Sequence, residues 1–549
     1  NDGLLAALAL ALAKWRSGRG VSESSALIRL EGHGREEEVV PGADLSRTVG
    51  WFTSMFPVRL NVAGFSVDEA LAGGPAAGGV LKAVKEQVRA IPDKGVGFGL
   101  LRYLNEQTAE VLAAYETGQI GFNYLGRFSA ADMPENLRGL GWTQAPDAGA
   151  LAAPDADMPA MTTLDVSAIV TDTAAGPQLG AVFRFPTGLL SHEEVTELAD
   201  LWATALAGLA EHTATPGAGG LTPSDVPLVP VSQLEIEAWE NHYPKVVDVW
   251  PVTALQSGLL FHSMLGGSTF DAYNMQLAFR LSGPLDPARM RGAGQALLDR
   301  HPNLRVAFVN DVAGRQVQVV TEGVPLPWQE VDLRGRDPEQ QDKELDQLLQ
   351  DDLHTNFVPV EPPLLRMTLA RMADEDTYLV LTAHHVLFDG WSLPVLIQDL
   401  LRLYAADGDH TALPRPRSYK DFLYWLDGQD REASARLWAE ELAGVQEPTL
   451  LAPGLPAHPD ETGIGQLEVP LSPQDAQAVA RCAAKVGVTV NTLVQGSWAL
   501  VLAGLTGRDD VVFGATVSGR PPVLADVDSM VGLFINTLPV RVRCAAGES

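Results

Sequence analysis

The sequence predicts an α/β protein that carries two related copies of one large domain in tandem, and three observations lead there. The run Tyr378-Leu-Val-Leu-Thr-Ala383 is mostly β-favouring and stops at His384-His385, as a buried strand stops at a turn. Just beyond it, Leu393, Leu396, Ile397, Leu400, Leu401 and Tyr404 recur at helical spacing, with Ser392 placed as an N-cap and Pro394 in the first turn. Finally, Val49-Gly-Trp-Phe-Thr-Ser-Met-Phe-Pro-Val-Arg-Leu60 returns 482 positions later as Val531-Gly-Leu-Phe-Ile-Asn-Thr-Leu-Pro-Val-Arg-Val542, a repeat of domain size.

The remaining elements follow in chain order. Residues 4–15 form an apolar helix, 26–30 a strand, and a second helix lies near 81–90. An Ala/Pro/Asp-rich loop spans about 129–160, and strands at 164–170 and 179–185 precede a helix from Ser191, where Ser191 and Glu194 make a capping box. The Gly/Pro-rich run 215–230 separates the copies, with a short helical segment at 232–240. The expected organisation is a C-terminal half-domain over 1–212, a linker over 213–244, an N-terminal lobe over 245–415, and the start of a second lobe over 416–549. Neither copy is complete.

Composition excludes several functions. At 549 residues the chain is too long for one core, and 46% hydrophobic with 20% charged residues is a globular balance. A net charge of −30, with no local Lys/Arg cluster against it, excludes a nucleic-acid binder. Cys482 and Cys544 alone cannot build a zinc quartet and point to a reducing, cytoplasmic setting. No apolar run reaches the length of a membrane span, and Asn1-Asp2-Gly3 does not open a signal peptide. The chain reads as an internal piece of a longer one.

Neighbouring side chains of an extended strand point to opposite faces, so His384 and His385 do not converge on one atom or one metal ion. One is expected to pack inward while the other faces a cleft. With the following residues they make His384-His-Val-Leu-Phe-Asp-Gly-Trp-Ser392. That pattern resembles the signature of condensation domains of nonribosomal peptide synthetases, within the chloramphenicol-acetyltransferase-like superfamily. Pro251-Val-Thr-Ala-Leu-Gln-Ser-Gly-Leu-Leu-Phe-His262 is similar to the family's first motif, in the form that follows an epimerised residue. Asp299-Arg-His-Pro-Asn-Leu-Arg-Val-Ala-Phe308 resembles the second, with Val306 where Thr is usual, and Tyr419-Lys-Asp-Phe-Leu-Tyr-Trp425 and the phrase at Val531 resemble later ones. The first copy resembles the C-terminal half of an epimerization domain through Glu31-Gly-His-Gly-Arg-Glu36, Arg47 to Pro57, Gly95-Val-Gly-Phe-Gly99 and Phe122-Asn-Tyr-Leu-Gly-Arg127.

The resemblance implies chloramphenicol-acetyltransferase-like lobes with the histidine turn facing a tunnel, and amide-bond formation from a D-configured thioester donor. It implies His385 as the group that takes, shares or merely orients the amine proton, with His384 beside it. Asp389 is expected to form a buried ion pair with Arg366 that shapes the turn, Gly390 to allow close backbone approach, and Trp391 to pack. Glu31 is the acid/base candidate of the epimerization half, with Asn123 and Tyr124 as donors and His33 as a weaker candidate. At the aligned position the second copy, Ala515-Thr-Val-Ser-Gly-Arg520, has no carboxylate. No cofactor is bound directly; the substrates are phosphopantetheine-tethered on upstream and downstream peptidyl carrier domains, with adenylation domains adjacent. The alternatives are a CoA-dependent acyltransferase of the same superfamily and a non-catalytic carrier-docking domain. Gly95-x-Gly-x-Gly99 lacks a preceding strand and so is no dinucleotide loop, and Leu265-Gly-Gly-Ser268 lacks the context of a carrier serine.

Overall fold

The computed structural model describes residues 1–37, 42–128, 158–173, 176–265, 271–451 and 467–544. Most of the loop expected at 129–160, and Gly266 to Ser268, lie outside the described residues. The chain divides into two compact units, Asn1–Pro227 and Leu228–Ser549.

Unit one runs α1 (Asp2–Ser17), β1 (Ser25–Gly32), β2 (Ser54–Asn61), α2 (Val67–Leu71), α3 (Pro75–Arg89), α4 (Val96–Tyr103), α5 (Glu106–Ala113), β3 (Ile120–Phe128), β4 (Leu164–Thr173), β5 (Gly176–Arg184) and α6 (His192–Thr213). Its five strands form one sheet in the order β2-β1-β3-β4-β5. Alternation assigns the two faces: Ala26, Ile28 and Leu30 of β1 point into the core, as do Leu164, Val166 and Ala168 of β4. Helix α1 is buried all the way from Leu5 to Ala13, which is why its sequence is apolar on every side. The capping box of α6 is complete, since Ser191 Oγ accepts from the Glu194 amide and Glu194 accepts from the Ser191 amide. The Gly/Pro-rich run after α6 is tied down as well: Lys85 pairs with Asp225 at 2.6 Å, and Val226 is fully buried.

Unit two opens with α7 (Gln233–His242) and continues β6 (Val246–Pro251), α8 (Ala254–Leu265), β7 (Asn274–Ser282), α9 (Pro287–Arg300), β8 (Val306–Asn310), β9 (Gln316–Thr321), β10 (Trp328–Asp332), α10 (Pro338–His354), β11 (Leu365–Ala373), β12 (Asp376–His384) and α11 (Leu393–Ala405). After these come α12 (Tyr419–Asp427), α13 (Arg431–Glu441), α14 (Pro473–Val486), α15 (Val490–Thr506), β13 (Asp510–Val517) and β14 (Asn536–Arg543). The sheets are β10-β11-β12-β7, β6-β9-β8 and the hairpin β13-β14. One large core joins α9, α11 and α12 to β11 and β12 and to the segment Val527 to Phe534. In α11 the buried positions are Leu396, Leu400 and Leu403, whereas Leu401, expected on the apolar face, is half exposed.

The repeat is visible in three dimensions. Hairpin β1-β2 pairs Gly32 with Ser54, and β13-β14 pairs Val517 with Asn536. Each hairpin loop is pinned by a left-handed glycine: Gly34 has φ +66° and Gly519 φ +63°. A Cβ would fall 1.5 Å from the Phe52 carbonyl oxygen in the first and 1.8 Å from that of Phe534 in the second. The next residue stacks its guanidinium on the same phenylalanine, Arg35 on Phe52 at 4.3 Å and Arg520 on Phe534 at 4.1 Å.

Gly519→Ala therefore meets both backbone strain and a collision with main chain, and should cost unit two more than about 2 kcal/mol. Gly487 has φ +73° with open space around it, so Gly487→Ala should cost only the backbone part, about 1 kcal/mol. Denaturant melts of both variants give the ordering; equal losses would show that the carbonyl contact at Gly519 imposes no constraint.

Candidate active site

Strand β12 delivers the two histidines into different surroundings. Its neighbours β11 and β7 hold it through Ala383 opposite Leu365 and His384 opposite Asn274. His384 is 1% exposed and points inward. Its Nδ1 accepts from the Val386 amide at 3.0 Å, so the proton rides on Nε2, which lies 3.3 Å from Asp271 Oδ2 and 3.1 Å from Ser263 Oγ. Burial pushes its pKa below the ordinary value, with Asp271 opposing, and the ring is neutral. Serine and aspartate meet the same ring nitrogen, so the three do not form a nucleophile relay.

His385 is only partly buried. Its amide donates to the Tyr273 carbonyl at 2.9 Å, and its Nδ1 is buried without a hydrogen-bond partner. The ring is partly exposed, unlike that of its neighbour, and the nitrogen without a partner is its buried one.

The turn behind it is fixed by a buried carboxylate. Asp389 is fully buried and accepts from the amides of Ser392 at 3.0 Å, Phe534 at 3.0 Å and Ile535 at 3.2 Å. Arg520 Nη2 lies 3.5 Å from it, on a side chain 5% exposed. Ser392 Oγ sits between them, 3.0 Å from Asp389 Oδ1 and 3.0 Å from Arg520 Nη2. Because that hydroxyl serves the cross-link, Ser392 makes no side-chain cap on α11, contrary to the cap expected from sequence.

Arg366 does not pair with Asp389. It stands on β11 opposite Thr382 and turns to α10, where Nε meets Asp352 Oδ1 at 2.6 Å and the guanidinium covers the Phe357 ring at 4.3 Å. Asp352 also accepts from the Thr382 hydroxyl. Two buried acid–base clusters thus stand where one was expected, one under the strand and one under the turn. Trp391 is 65% exposed and does not pack, and a Cβ on Gly390 would meet nothing within 4 Å, so no contact within the chain requires glycine there. The residues missed from sequence are Arg520, Ser392 as a cross-linker, Asp271 and Asp352. Only Arg520 had a signal, the recurrence of Gly34-Arg35 as Gly519-Arg520.

In unit one, Glu31 ends β1 on the sheet face opposite the helices. Asn123 Nδ2 donates to it at 2.7 Å from β3, while Tyr124, the next residue, turns to the other face and packs on the core. Glu31 and Asn123 come together; Tyr124 does not join them. Burial raises the pKa of Glu31, and the negative charge of Asp165 on β4 adds to it. His33 Nδ1 accepts from the Arg35 amide, and its Nε2 lies 3.7 Å from Glu36, which Lys94 holds at 2.8 Å. Glu31, His33, Glu36 and Lys94 border a cavity of about 500 Å³. By strand register Glu31 faces Met55, and Thr516 faces Thr537 at the corresponding place in the second hairpin.

A condensation-domain family model matches residues 1–225 and residues 246–549. The chain belongs to the condensation-domain family. It is 40% identical to one of the linear gramicidin synthase proteins of Brevibacillus parabrevis, aligned over 100% of this chain and 7% of that protein. Chondramide synthase of Chondromyces crocatus is 34% identical over 99% of this chain and 14% of its own length. The chain therefore spans a small fraction of the curated relatives it matches. Among solved structures, the first condensation domain of the CDA synthetase aligns with 54% of this chain and 70% of its own at 22% identity and a TM-score of 0.42. Among the described residues no single helix is long and apolar enough to cross a membrane.

Two measurements test this geometry. Asp389→Ala strips a buried partner from Arg520 and should cost about 3–5 kcal/mol. In double-mutant cycles Asp389 should couple to Arg520 by more than about 0.5 kcal/mol, while Asp389→Ala and Arg366→Ala should add; coupling to Arg366 instead would overturn the two-cluster arrangement.

Glu31 gives a pH signature. Its folded pKa lies above the ordinary carboxyl value, so the folded unit holds the proton more tightly than the unfolded chain. Stability is then lost as pH rises from the ordinary value through the raised one. Glu31→Gln should remove that loss, gaining stability relative to wild type as pH climbs from about 4 to 7. A gain in the opposite direction would mean that the Asn123 bond stabilises the carboxylate.

Proposed function

We propose that unit two forms amide bonds in a nonribosomal peptide synthetase, joining a carrier-bound aminoacyl or peptidyl thioester to a carrier-bound amine. The single observation that supports this most is the partly exposed His385 at the end of a buried strand, on a turn locked by Asp389. The reaction needs a neutral amine to attack a thioester carbonyl: the C–N bond forms, the C–S bond breaks, the thiolate leaves, and the nitrogen gives up a proton. No covalent enzyme intermediate is required. His385 is the group able to receive that proton or to orient the amine by hydrogen bonding. His384, neutral and bonded on both nitrogens, acts as a support for the turn.

The donor is D-configured at the reacting residue, a reading supported by the first-motif form at Pro251 to His262 and by the epimerization-type unit that precedes it. In that unit Glu31, with its raised pKa and its Asn123 bond, is the proton carrier at Cα. The partners are peptidyl carrier and adenylation domains of the same cytoplasmic synthetase, and phosphopantetheine enters only as the tether of the substrates.

A complete module containing this chain, given carriers loaded with matched D and L donors, should form product from the D donor at least about tenfold faster, a discrimination of about 1.4 kcal/mol. His385→Ala should abolish product while melting as wild type does. Equal rates for the two donors would remove the stereochemical assignment, and undiminished product from His385→Ala would remove the catalytic one.

A further inference from the structure

The turn from His384 to Asp389 is irregular and almost wholly buried, so its backbone groups cannot be left to water and each needs a protein partner. The amide of His385 has the Tyr273 carbonyl, that of Val386 has His384 Nδ1, that of Leu387 has the His384 carbonyl, and that of Asp389 has the Gly532 carbonyl. Two consecutive carbonyls, of Val386 and Leu387, lie outside any strand or helix. Each is held by a side-chain amide from a different element. Gln256 on α8, 1% exposed, donates Nε2 to the Val386 carbonyl at 3.1 Å. Asn303, in the short turn after α9 and 4% exposed, donates Nδ2 to the Leu387 carbonyl at 3.2 Å.

Neither amide is free to rotate away. Gln256 Oε1 accepts from the Thr253 amide at 3.0 Å and from Gln318 Nε2 at 3.2 Å, and Gln318 in turn donates to the Pro251 carbonyl at 2.7 Å. Asn303 is flanked by Arg305, which donates to the Leu298 and Asp299 carbonyls and locks the segment to the end of α9. The two clamps reach the turn at the residues immediately following His385, from the side opposite Asp389 in sequence.

We propose that Gln256 and Asn303 are positioning residues that set the orientation of the His385 imidazole by gripping the carbonyls of Val386 and Leu387. The inference rests on the reading of His385 as the residue that meets substrate, but its geometric part does not. A buried carbonyl that loses its donor must move towards another, and the Val386–Leu387 and Leu387–Phe388 peptide planes, which follow His385 in the chain, move with it and turn its Cα. A shift of about 1 Å at a reacting group is enough to lower turnover about 100-fold.

The test uses the full 549-residue chain labelled with ¹⁵N-histidine, with the His385 signals assigned by loss in His385→Gln. Gln256→Met and Asn303→Leu keep volume and remove the donors; if the methionine variant does not fold, Asn303→Leu carries the test alone. Gln295→Met is the control, since Gln295 makes a similar clamp on the Val324 carbonyl, away from the turn. The clamp variants should displace the His385 imidazole resonances, and the control should not. In a module that condenses D-alanyl and L-alanyl carriers, kcat should fall about 100-fold with KM within about twofold. Unmoved His385 signals in folded clamp variants, or equal movement in the control, overturn the proposal. Moved His385 signals in the clamp variants, with a wild-type module that does not condense, overturn the proposed function and leave the positioning role standing.

Discussion

The buried carboxylate of Asp389 is the constraint on which the rest of unit two depends. A fully desolvated charge is tolerated only when nearly every lone pair is used, and here three backbone amides, a serine hydroxyl and an arginine share it. Those donors come from two separate stretches of the unit. Ser392 belongs to the turn itself, whereas Arg520, Phe534 and Ile535 belong to the β13-β14 loop. The carboxylate is therefore a tether between two remote stretches of chain, and its energetic role is inseparable from its geometric one. Tyr419 completes the enclosure: its hydroxyl donates to the Leu533 carbonyl, and burial, with Asp389 adding to it, raises its pKa.

The hairpin loop that receives Asp389 does not need it in order to form. In unit one the same glycine, the same Arg–Phe stack and the same hairpin register are present, and Arg35 there donates to the Leu45 carbonyl instead of to a carboxylate. The loop geometry is thus local, written by Gly34 and by the guanidinium on its ring. What differs is the cover. Val531 and Leu533 are each 2% exposed, while their counterparts Val49 and Trp51 are 99% and 92% exposed. A preformed loop of this kind spends little ordering entropy when a carboxylate docks, which is the sense in which the tether is preorganised.

Much of the fold was legible because periodicity reports burial. The strand before His384, the helix after Ser392, the capping box at Ser191 and the repeat at Val531 all follow from spacing alone. Polar partnership was less legible, because it depends on which face of which strand a side chain occupies. Arg366 is two ladder positions from His384 and faces α10, so Asp352, 14 residues before it, claims it, and not Asp389 as the resemblance implied. Tyr124 fails to join Glu31 for the same reason: one step along β3 reverses the face. Leu401 and Leu403 exchange roles because the buried stripe of α11 follows the core made by α9 and α12, a tertiary fact that helical spacing does not contain.

The correspondence between Glu31 and Thr516 carries the comparison one step further. Both positions sit at the loop end of the first strand of the hairpin, just before the glycine that pins the loop. In unit two that loop is tethered to the histidine turn, so the end of β13 is held at a set relation to His385 by Asp389 and Arg520. A hydroxyl there is uncharged. A carboxylate in the same place has its pKa raised by burial, with the charge of Asp165 adding to it. One scaffold can therefore present a neutral hydroxyl or a partly buried acid by a change at a single strand end, with the loop glycine and its Arg–Phe stack kept in both copies.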